Sequence, residues 1–327
     1  MGRSPGYVID EAVGKVVRLV VPPGSRVAVE SDAAGARALR DAGVEFLVLA
    51  GAEAPASVLE EFRLVVREPG VCDVLALAER VEPRTGTARD GLPYPPPEMI
   101  RLVAGIASPH RFYQRFIGGG ARVWERIGAL AAETGAPLES LGSVLDFGCG
   151  CGRVMRHWRD LHGPAMVGTD YNPYLIEWCR AHLPFASFEV NGLEPRLPHG
   201  DGAFDLVYSY SVFTHLPEAM QRPWIEELFR VTRPAGHVFV TLHGESRAGA
   251  LGEQEQRRFA AGELVVVTSD DRDWGTNNCN AYHPDAWVRN TLAEGLEVVA
   301  HLPADDQVPQ DSYLLRRPAR PPAATAG

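Results

Sequence analysis

The fold is decided by the stretch Val144-Leu145-Asp146-Phe147-Gly148-Cys149-Gly150-Cys151-Gly152-Arg153-Val154. A short apolar run ends on an acid, three glycines follow at alternate positions, and a helical pattern begins at Arg153. Glycine tolerates positive φ and allows a backbone to approach a ligand closely. A helix that begins behind such a turn presents unpaired N–H groups. The stretch therefore predicts a strand, a glycine turn and a helix, with a small polar ligand bound at the turn.

Two residues beside the turn restrict the ligand. The dinucleotide fingerprint is G-x-G-x-x-G, and Arg153 stands where its third glycine would lie. Asp146 lies two residues before the first glycine, where a carboxylate would repel a pyrophosphate and suit a cation such as an α-amino group. We therefore favour a ligand that carries a cation. A nicotinamide-dependent oxidoreductase and an ordinary glycine-rich turn without a ligand are the less favoured alternatives.

Two further predicted strands end on polar residues. Asp170 lies about twenty residues beyond the turn, where an acid suits a ribose diol because one carboxylate can accept from both hydroxyls. Its alternative role is a helix cap. Asn191 ends the next strand, and its side chain can both donate and accept hydrogen bonds. Ligands of open α/β sheets bind at the carboxyl ends of strands, so these residues are expected in one site.

Four blocks of sequence in this order resemble the class I S-adenosylmethionine (AdoMet) dependent methyltransferases. They are the glycine turn, the strand ending at Asp170, the run from Phe204 to Pro217, and the turn Arg233-Pro234-Ala235-Gly236, where Ala235 replaces one glycine of the family. The resemblance implies an α/β, Rossmann-like fold with a mostly parallel seven-stranded sheet that ends in an antiparallel hairpin. It also implies AdoMet as the cofactor.

The same resemblance implies which residues bind the cofactor. Asp146 would meet the methionine part, Asp170 the ribose and Asn191 the adenine edge. The full set of expected cofactor contacts is Asp146, Phe147, Gly148, Cys149, Gly150, Gly152, Asp170, Tyr171, Asn191, Gly192, Leu193, Ser209 and Tyr210.

Methyl transfer to a hydroxyl or ammonium is helped by a base that titrates near the operating pH, and histidine is the natural candidate. The sequence offers His215 after the fourth strand, His243 at the end of the fifth, and His283 after the insertion. It does not decide which of them is the base, and an acceptor that arrives deprotonated needs none. Tyr210 is a fourth catalytic candidate, and Tyr208 and Tyr210 are both expected to contact an aromatic acceptor.

Composition divides the chain into parts. Alternating strands and helices in residues 1–90 predict a small accessory α/β unit with a parallel layer and a scaffold, docking or homodimer role. Residues 91–135 predict a Pro-rich linker and a helical cover that is broken at Gly118-Gly119-Gly120. Residues 136–318 form the predicted methyltransferase domain, in which 244–282 is a substrate lid and Pro223 starts a helix of its own. Residues 319–327 predict a disordered tail.

The composition of the 327 residues excludes several function classes. The net charge is −10 without a dense basic run, so no nucleic-acid partner is expected. No apolar stretch reaches the roughly 20 residues of a membrane span, and no signal peptide is evident, so no membrane partner and a cytoplasmic location are expected. The five cysteines are scattered, and Cys149 and Cys151 fill the variable positions of the turn, so we expect no metal site.

The function expected from the sequence is methyl transfer to an O or N nucleophile of a small-molecule acceptor. The Ala-, Gly- and Pro-rich composition is typical of a GC-rich genome, and a step of secondary-metabolite biosynthesis is the pathway we expect. The alternative is an AdoMet-binding protein without methyl transfer, with a regulatory or non-methylating tailoring role.

Overall fold

The computed structural model describes residues 27–30, 46–50, 62–68, 72–77, 88, 90–104, 109–268 and 279–319. The chain forms two compact units, of which the first comprises residues 1–116 and 172–182 and the second comprises residues 117–171 and 183–327. The helices predicted between the first three strands, and most of the predicted tail, lie outside the described residues.

The first unit contains a four-stranded sheet in the order β1-β2-β4-β3. Its strands are β1 (Val27–Glu30), β2 (Phe46–Ala50), β3 (Phe62–Glu68) and β4 (Cys72–Leu77). β1 and β2 are parallel, but β4 is antiparallel to both β2 and β3. The prediction of an all-parallel layer is therefore wrong. The connection between β3 and β4 is too short for a crossover, so the chain must return as a hairpin.

Two helices precede the second sheet, α1 (Pro97–Ala104) and α2 (Pro109–Glu133). α2 runs without interruption through Gly118-Gly119-Gly120, so the predicted break is wrong. Each glycine costs about 1 kcal/mol of helix propensity. The buried side chains of Val123, Ile127 and Leu130 on one face of the helix offset that cost.

The second unit is built on a seven-stranded sheet in the order β12-β13-β9-β8-β5-β6-β7. The strands are β5 (Ser143–Phe147), β6 (Ala165–Asp170), β7 (Ser187–Val190), β8 (Phe204–Ser209), β9 (Thr232–Leu242), β12 (Glu297–Leu302) and β13 (Asp311–Arg316). β5 to β9 pair in parallel, whereas β13 is antiparallel to β9 and β12. This confirms the predicted Rossmann-like sheet with its terminal antiparallel hairpin.

Helices α3 (Pro173–His182) and α4 (Glu218–Val231) follow β6 and β8 in the chain. Pro217 is the N-cap residue of α4, and Pro223 lies inside the same helix, so the prediction of a separate helix at Pro223 is wrong. Proline removes one backbone donor. The buried side chains of Trp224 and Leu228 hold the helix against the core of the second unit.

The predicted insertion has structure of its own. It contains a 3-10 turn (Glu245–Ala250), α5 (Glu253–Ala260), β10 (Val265–Val267) and β11 (Asn280–Tyr282). β10 and β11 form an antiparallel ribbon, and Leu251, Phe259 and Val265 make a small separate core. A short helix, α6 (Asp285–Trp287), continues as a π-helical turn to Leu292. No helix in the described part of the chain is long and apolar enough to cross a membrane.

Candidate cofactor and acceptor site

The glycine turn is a tightly bonded loop between β5 and a short 3-10 helix, Met155–Trp158. Gly148, Gly150 and Gly152 all have positive φ, which explains why glycine is needed at these alternate positions. The amides of Gly148 and Cys149 donate to the Thr169 carbonyl at 2.8 and 2.9 Å. These two amides are therefore committed to the end of β6, and the helix that follows the turn is a single short 3-10 segment.

Asp170 completes this loop from the end of β6. Its Oδ2 accepts a 2.9 Å hydrogen bond from the amide of Gly150. The carboxylate is almost fully buried and is thereby fixed next to the glycine turn. A carboxylate offers about four lone-pair positions, so Asp170 can hold the loop and still accept from a diol.

Asp146 lies one strand away, at the end of β5, and is buried. Tyr208 on β8 donates a 2.8 Å hydrogen bond from its hydroxyl to Asp146 Oδ2. Burial raises the pKa of Asp146 to about 8, and the nearby charge of Asp170 acts in the same direction. Tyr208 is itself fully buried and stacks on Trp158, so the expectation that it contacts an acceptor molecule is wrong.

Two of the buried polar atoms that lack hydrogen-bond partners within the described residues lie at strand ends of the seven-stranded sheet. They are Asn191 Oδ1 after β7 and Ser209 Oγ at the end of β8, and both are buried. Unsatisfied buried polar atoms are costly, and a site that receives a polar ligand is one explanation for them. With the carboxylates of Asp146 and Asp170, they provide acceptors suited to an amino group, a ribose and an adenine amine.

The remaining expected cofactor residues differ in exposure. Tyr171 and Leu193 are half-buried and Gly192 is exposed. The Phe147 ring packs on Trp224 with centroids 4.6 Å apart, and Cys149 is buried. The Phe147 side chain therefore belongs to the core, and only its backbone is available to the loop. Among the described residues, no group of His, Cys, Asp and Glu side chains is arranged to hold a metal ion.

Tyr210 lies beyond the end of β8 and is half-buried. The guanidinium of Arg153, the residue that replaces the third fingerprint glycine, lies 5.0 Å from the centre of the Tyr210 ring. This is within the distance of a cation–π contact. The contact links the exit of the glycine turn to the expected acceptor side of the site.

His215 and His243 are brought together, with their ring centroids 6.4 Å apart. His215 Nδ1 lies 2.8 Å from the carbonyl oxygen of Cys279, at the end of the insertion. A carbonyl only accepts, so Nδ1 carries a hydrogen and the lone pair of the neutral ring is on Nε2. Burial lowers the pKa of His243 to about 4, and the neighbouring His215 and Arg247 add to this effect.

His283 lies deeper than the other two histidines and is fully buried. Its Nε2 is 3.3 Å from the side-chain oxygen of Gln221, and its amide donates to the His243 carbonyl at 2.8 Å. Burial lowers the pKa of His283 to about 3. It is therefore neutral at pH 7, and its contacts join α4 to the segment after β11.

Comparison with known proteins supplies the family. Residues 145–240 match the model of a methyltransferase domain. This match covers β5 to β9, the strands that carry Asp146, Asp170 and Ser209 at their ends. Residues 145–240 therefore belong to a methyltransferase domain. Two predictions from the sequence are thereby confirmed, the family and AdoMet as the cofactor of the domain.

The matches between this chain and curated relatives cover only part of each relative's length. An uncharacterized methyltransferase from Synechocystis sp. is 33% identical over 34% of this chain and 54% of its own. A malonyl-[acyl-carrier protein] O-methyltransferase from Serratia marcescens is 31% identical over 40% of this chain and 51% of its own. The chain thus spans about half the length of these relatives. A solved magnesium protoporphyrin IX methyltransferase from Synechocystis is 16% identical, with a TM-score of 0.44 over 63% of this chain and 87% of that one.

Three residues of the methyltransferase domain's site were not predicted. Gln310, Thr241 and Ser211 form a hydrogen-bonded group beside His243. Ser211 has φ of 63°, which is rare for a residue other than glycine and is concentrated at functional sites. The sequence carries no signal for this group, because it joins positions that are far apart in the chain.

Proposed function

We propose that the chain is an enzyme that transfers a methyl group from AdoMet to an oxygen or nitrogen nucleophile of a small-molecule acceptor. The observation that carries the proposal is the alignment of Asp146, Asp170 and Asn191 at the ends of β5, β6 and β7. These strands are adjacent in the sheet, so the three side chains follow one another along one edge. Their order matches the methionine, ribose and adenine parts of AdoMet.

AdoMet would supply an activated methyl group on a sulfonium. The residues of this chain would bind the cofactor, orient the acceptor and remove its proton. The Asp146 carboxylate would hold the ammonium, Asp170 the ribose hydroxyls, and Asn191 Oδ1 the adenine amine. His215 would accept the acceptor's proton at Nε2, because Nδ1 is committed to the Cys279 carbonyl. Positioning of the nucleophile would supply much of the remaining rate.

The committed amides of the glycine turn support AdoMet over a dinucleotide. A pyrophosphate site needs free N–H groups at the turn, but Gly148, Cys149 and Gly150 donate to Thr169 and Asp170. The name of the Serratia relative states methylation of oxygen, which supports an oxygen nucleophile. A role in secondary-metabolite biosynthesis and a lid role for residues 244–282 are parts of the same proposal.

The test is calorimetric titration of the whole protein with AdoMet, followed by measurement of S-adenosylhomocysteine release with a panel of small hydroxyl and amine acceptors. We expect binding of one AdoMet and turnover with at least one acceptor. AdoMet binding without turnover across the panel would favour the non-methylating alternative. NADH binding in place of AdoMet would favour the oxidoreductase.

A further inference from the structure

A buried group of polar side chains encloses His243 at the ends of β9 and β13. Gln310 lies at its centre, just before β13, and is 6% exposed. The side-chain nitrogen of Gln310 is 2.7 Å from Ser211 Oγ and 3.4 Å from His243 Nε2. Its side-chain oxygen is 2.6 Å from Thr241 Oγ1. The four side chains therefore form one connected network.

The network determines which way the Gln310 amide points. Thr241 Oγ1 accepts a 2.9 Å hydrogen bond from the amide of Ser211, so the hydroxyl hydrogen of Thr241 is available to donate. The 2.6 Å separation from Gln310 is within the range of O–H···O hydrogen bonds and below the usual range of N–H···O bonds. The atom that faces Thr241 is therefore the oxygen of Gln310, and the NH₂ group faces Ser211 and His243.

This orientation determines the tautomer of His243. The Gln310 NH₂ group can only donate, so His243 Nε2 must offer its lone pair, and the hydrogen of the neutral ring lies on Nδ1. Nδ1 is buried and has no hydrogen-bond partner in residues 109–268 and 279–319. A buried N–H without a partner is unfavourable, because the donor has lost its hydrogen bond to water. A bound molecule that offers a lone pair would remove that cost.

We propose that Gln310 is a positioning residue that fixes His243 as a hydrogen-bond donor through Nδ1–H, directed at a lone-pair oxygen or nitrogen of the acceptor molecule. The proposal rests on the methyl-transfer function proposed above. His243 is then not the base, because its Nε2 is held by Gln310 and its Nδ1 already carries a hydrogen. Burial, which lowers the pKa of His243, keeps the ring neutral in agreement with this role.

The two neighbouring histidines then have complementary roles. His215 presents a lone pair on Nε2, and His243 presents an N–H, with 6.4 Å between the rings. Such a pair suits an acceptor in which the hydroxyl or amine to be methylated stands beside a hydrogen-bond acceptor, such as a carbonyl or carboxylate oxygen. The Tyr282 ring, whose centroid is 5.4 Å from that of His243, adds an apolar face for a planar acceptor.

The experiment is two-bond ¹H–¹⁵N NMR of the full chain with ¹⁵N-labelled histidine at pH 7.5, with the His243 signals assigned by their loss in His243→Gln. We expect the wild-type protein to show His243 protonated on Nδ1. Gln310→Glu places an accepting carboxylate at Nε2 and should protonate that nitrogen. The matched control is Gln254→Glu, an exposed change on α5 that should leave the His243 signals unchanged.

Protonation of Nε2 in the wild-type protein would overturn the proposal, as would an unchanged His243 in Gln310→Glu. With the panel acceptor that the wild-type enzyme methylates best, Gln310→Glu should raise KM about tenfold or more and leave kcat within about threefold. A fall in kcat at constant KM would also overturn it. AdoMet affinity is measured on the same samples, so failure of cofactor binding is distinguished from failure of this assignment.

Discussion

The hydroxyl of Tyr208 donates to Asp146 Oδ2 at 2.8 Å, between residues that are register partners on the parallel strands β8 and β5. The contact places a hydrogen-bonded carboxyl group in a buried position directly before the glycine turn. Its raised pKa means that much of Asp146 is protonated at pH 7 before the cofactor binds.

AdoMet binding should therefore depend on pH. An ammonium group favours the ionised carboxylate, so Asp146 must release a proton on binding, and affinity should rise as the pH increases from 6 to 8. Calorimetry in buffers of different ionisation enthalpy measures the proton release directly. Asp146→Ala should abolish binding, and Asp146→Asn should bind weakly without this pH dependence. Near-native affinity in Asp146→Ala would contradict the placement of the ammonium group.

The Asp146 carboxyl group also predicts how the stability of the folded protein depends on pH. Burial raises the pKa of Asp146 in the folded state from an ordinary value of 3.8 to about 8, so the folded protein holds a proton that the unfolded chain releases. This contribution to the free energy of unfolding is complete below about pH 4 and is lost as the pH rises to 8. Cofactor-free protein should lose thermal stability from pH 5 to pH 8, and Asp146→Asn should lose less. If the thermal stabilities of the wild-type protein and Asp146→Asn fell in parallel between pH 5 and pH 8, the raised pKa of Asp146 would be contradicted.

Substitution by alanine should have opposite effects at Gly118 and Gly120 of α2. A Cβ at Gly120 would overlap with the carbonyl oxygen of Arg153, whereas a Cβ at Gly118 meets only the flexible Arg122 side chain, at 3.3 Å. Gly118→Ala should stabilise the protein by about 0.5 to 1 kcal/mol through helix propensity. Gly120→Ala should destabilise it and weaken AdoMet binding, because Arg153 follows the glycine turn. Chemical unfolding and calorimetry measure both effects, and equal effects of the two changes would contradict this packing.

Ala235 occupies a left-handed conformation, with φ of 60°, in the turn where the family has glycine. The left-handed region costs a residue with a Cβ about 1 to 2 kcal/mol, which exceeds the extra chain entropy of glycine. Ala235→Gly should therefore raise the free energy of unfolding by up to about 1 kcal/mol. The control Ala129→Gly, at an exposed position inside α2, should lower it by about 0.5 to 1 kcal/mol. A loss of stability in Ala235→Gly would contradict the strain.

Alanine substitutions of His215 and His283 should affect different properties, the first catalysis and the second stability. His215→Ala should lower kcat about 10² to 10⁴-fold with little change in thermal stability. His283→Ala removes a fully buried ring bonded to Gln221 and should cost about 2 to 3 kcal/mol of stability. S-adenosylhomocysteine release and thermal unfolding provide the two readouts. Loss of kcat without loss of stability in His283→Ala would reverse the two roles.

The sequence was sufficient for the parts of the fold that depend on local pattern. The glycine turn and the acid at the end of β6 each have a short-range signal, and each lies where it was expected. The terminal hairpin was expected from the family resemblance, and it is also present. The contact between Tyr208 and Asp146 could not be foreseen, because it depends on the adjacency of β8 and β5 in the sheet. The Gln310 network was missed for the same reason. The continuous helices through Gly118 and Pro223 show packing overriding local propensity.

The most direct test of the AdoMet site is calorimetric titration of AdoMet into the wild-type protein and the Asp170→Asn variant. Asp170 fixes the glycine turn through its hydrogen bond with Gly150, and it is also the residue assigned to the ribose. Asparagine keeps the shape of the aspartate side chain but replaces one anionic oxygen acceptor with an NH₂ donor. We predict one AdoMet per wild-type chain and an affinity at least about tenfold lower in Asp170→Asn, a loss of about 1.4 kcal/mol. Equal affinities, or no AdoMet binding by the wild-type protein, would contradict the account.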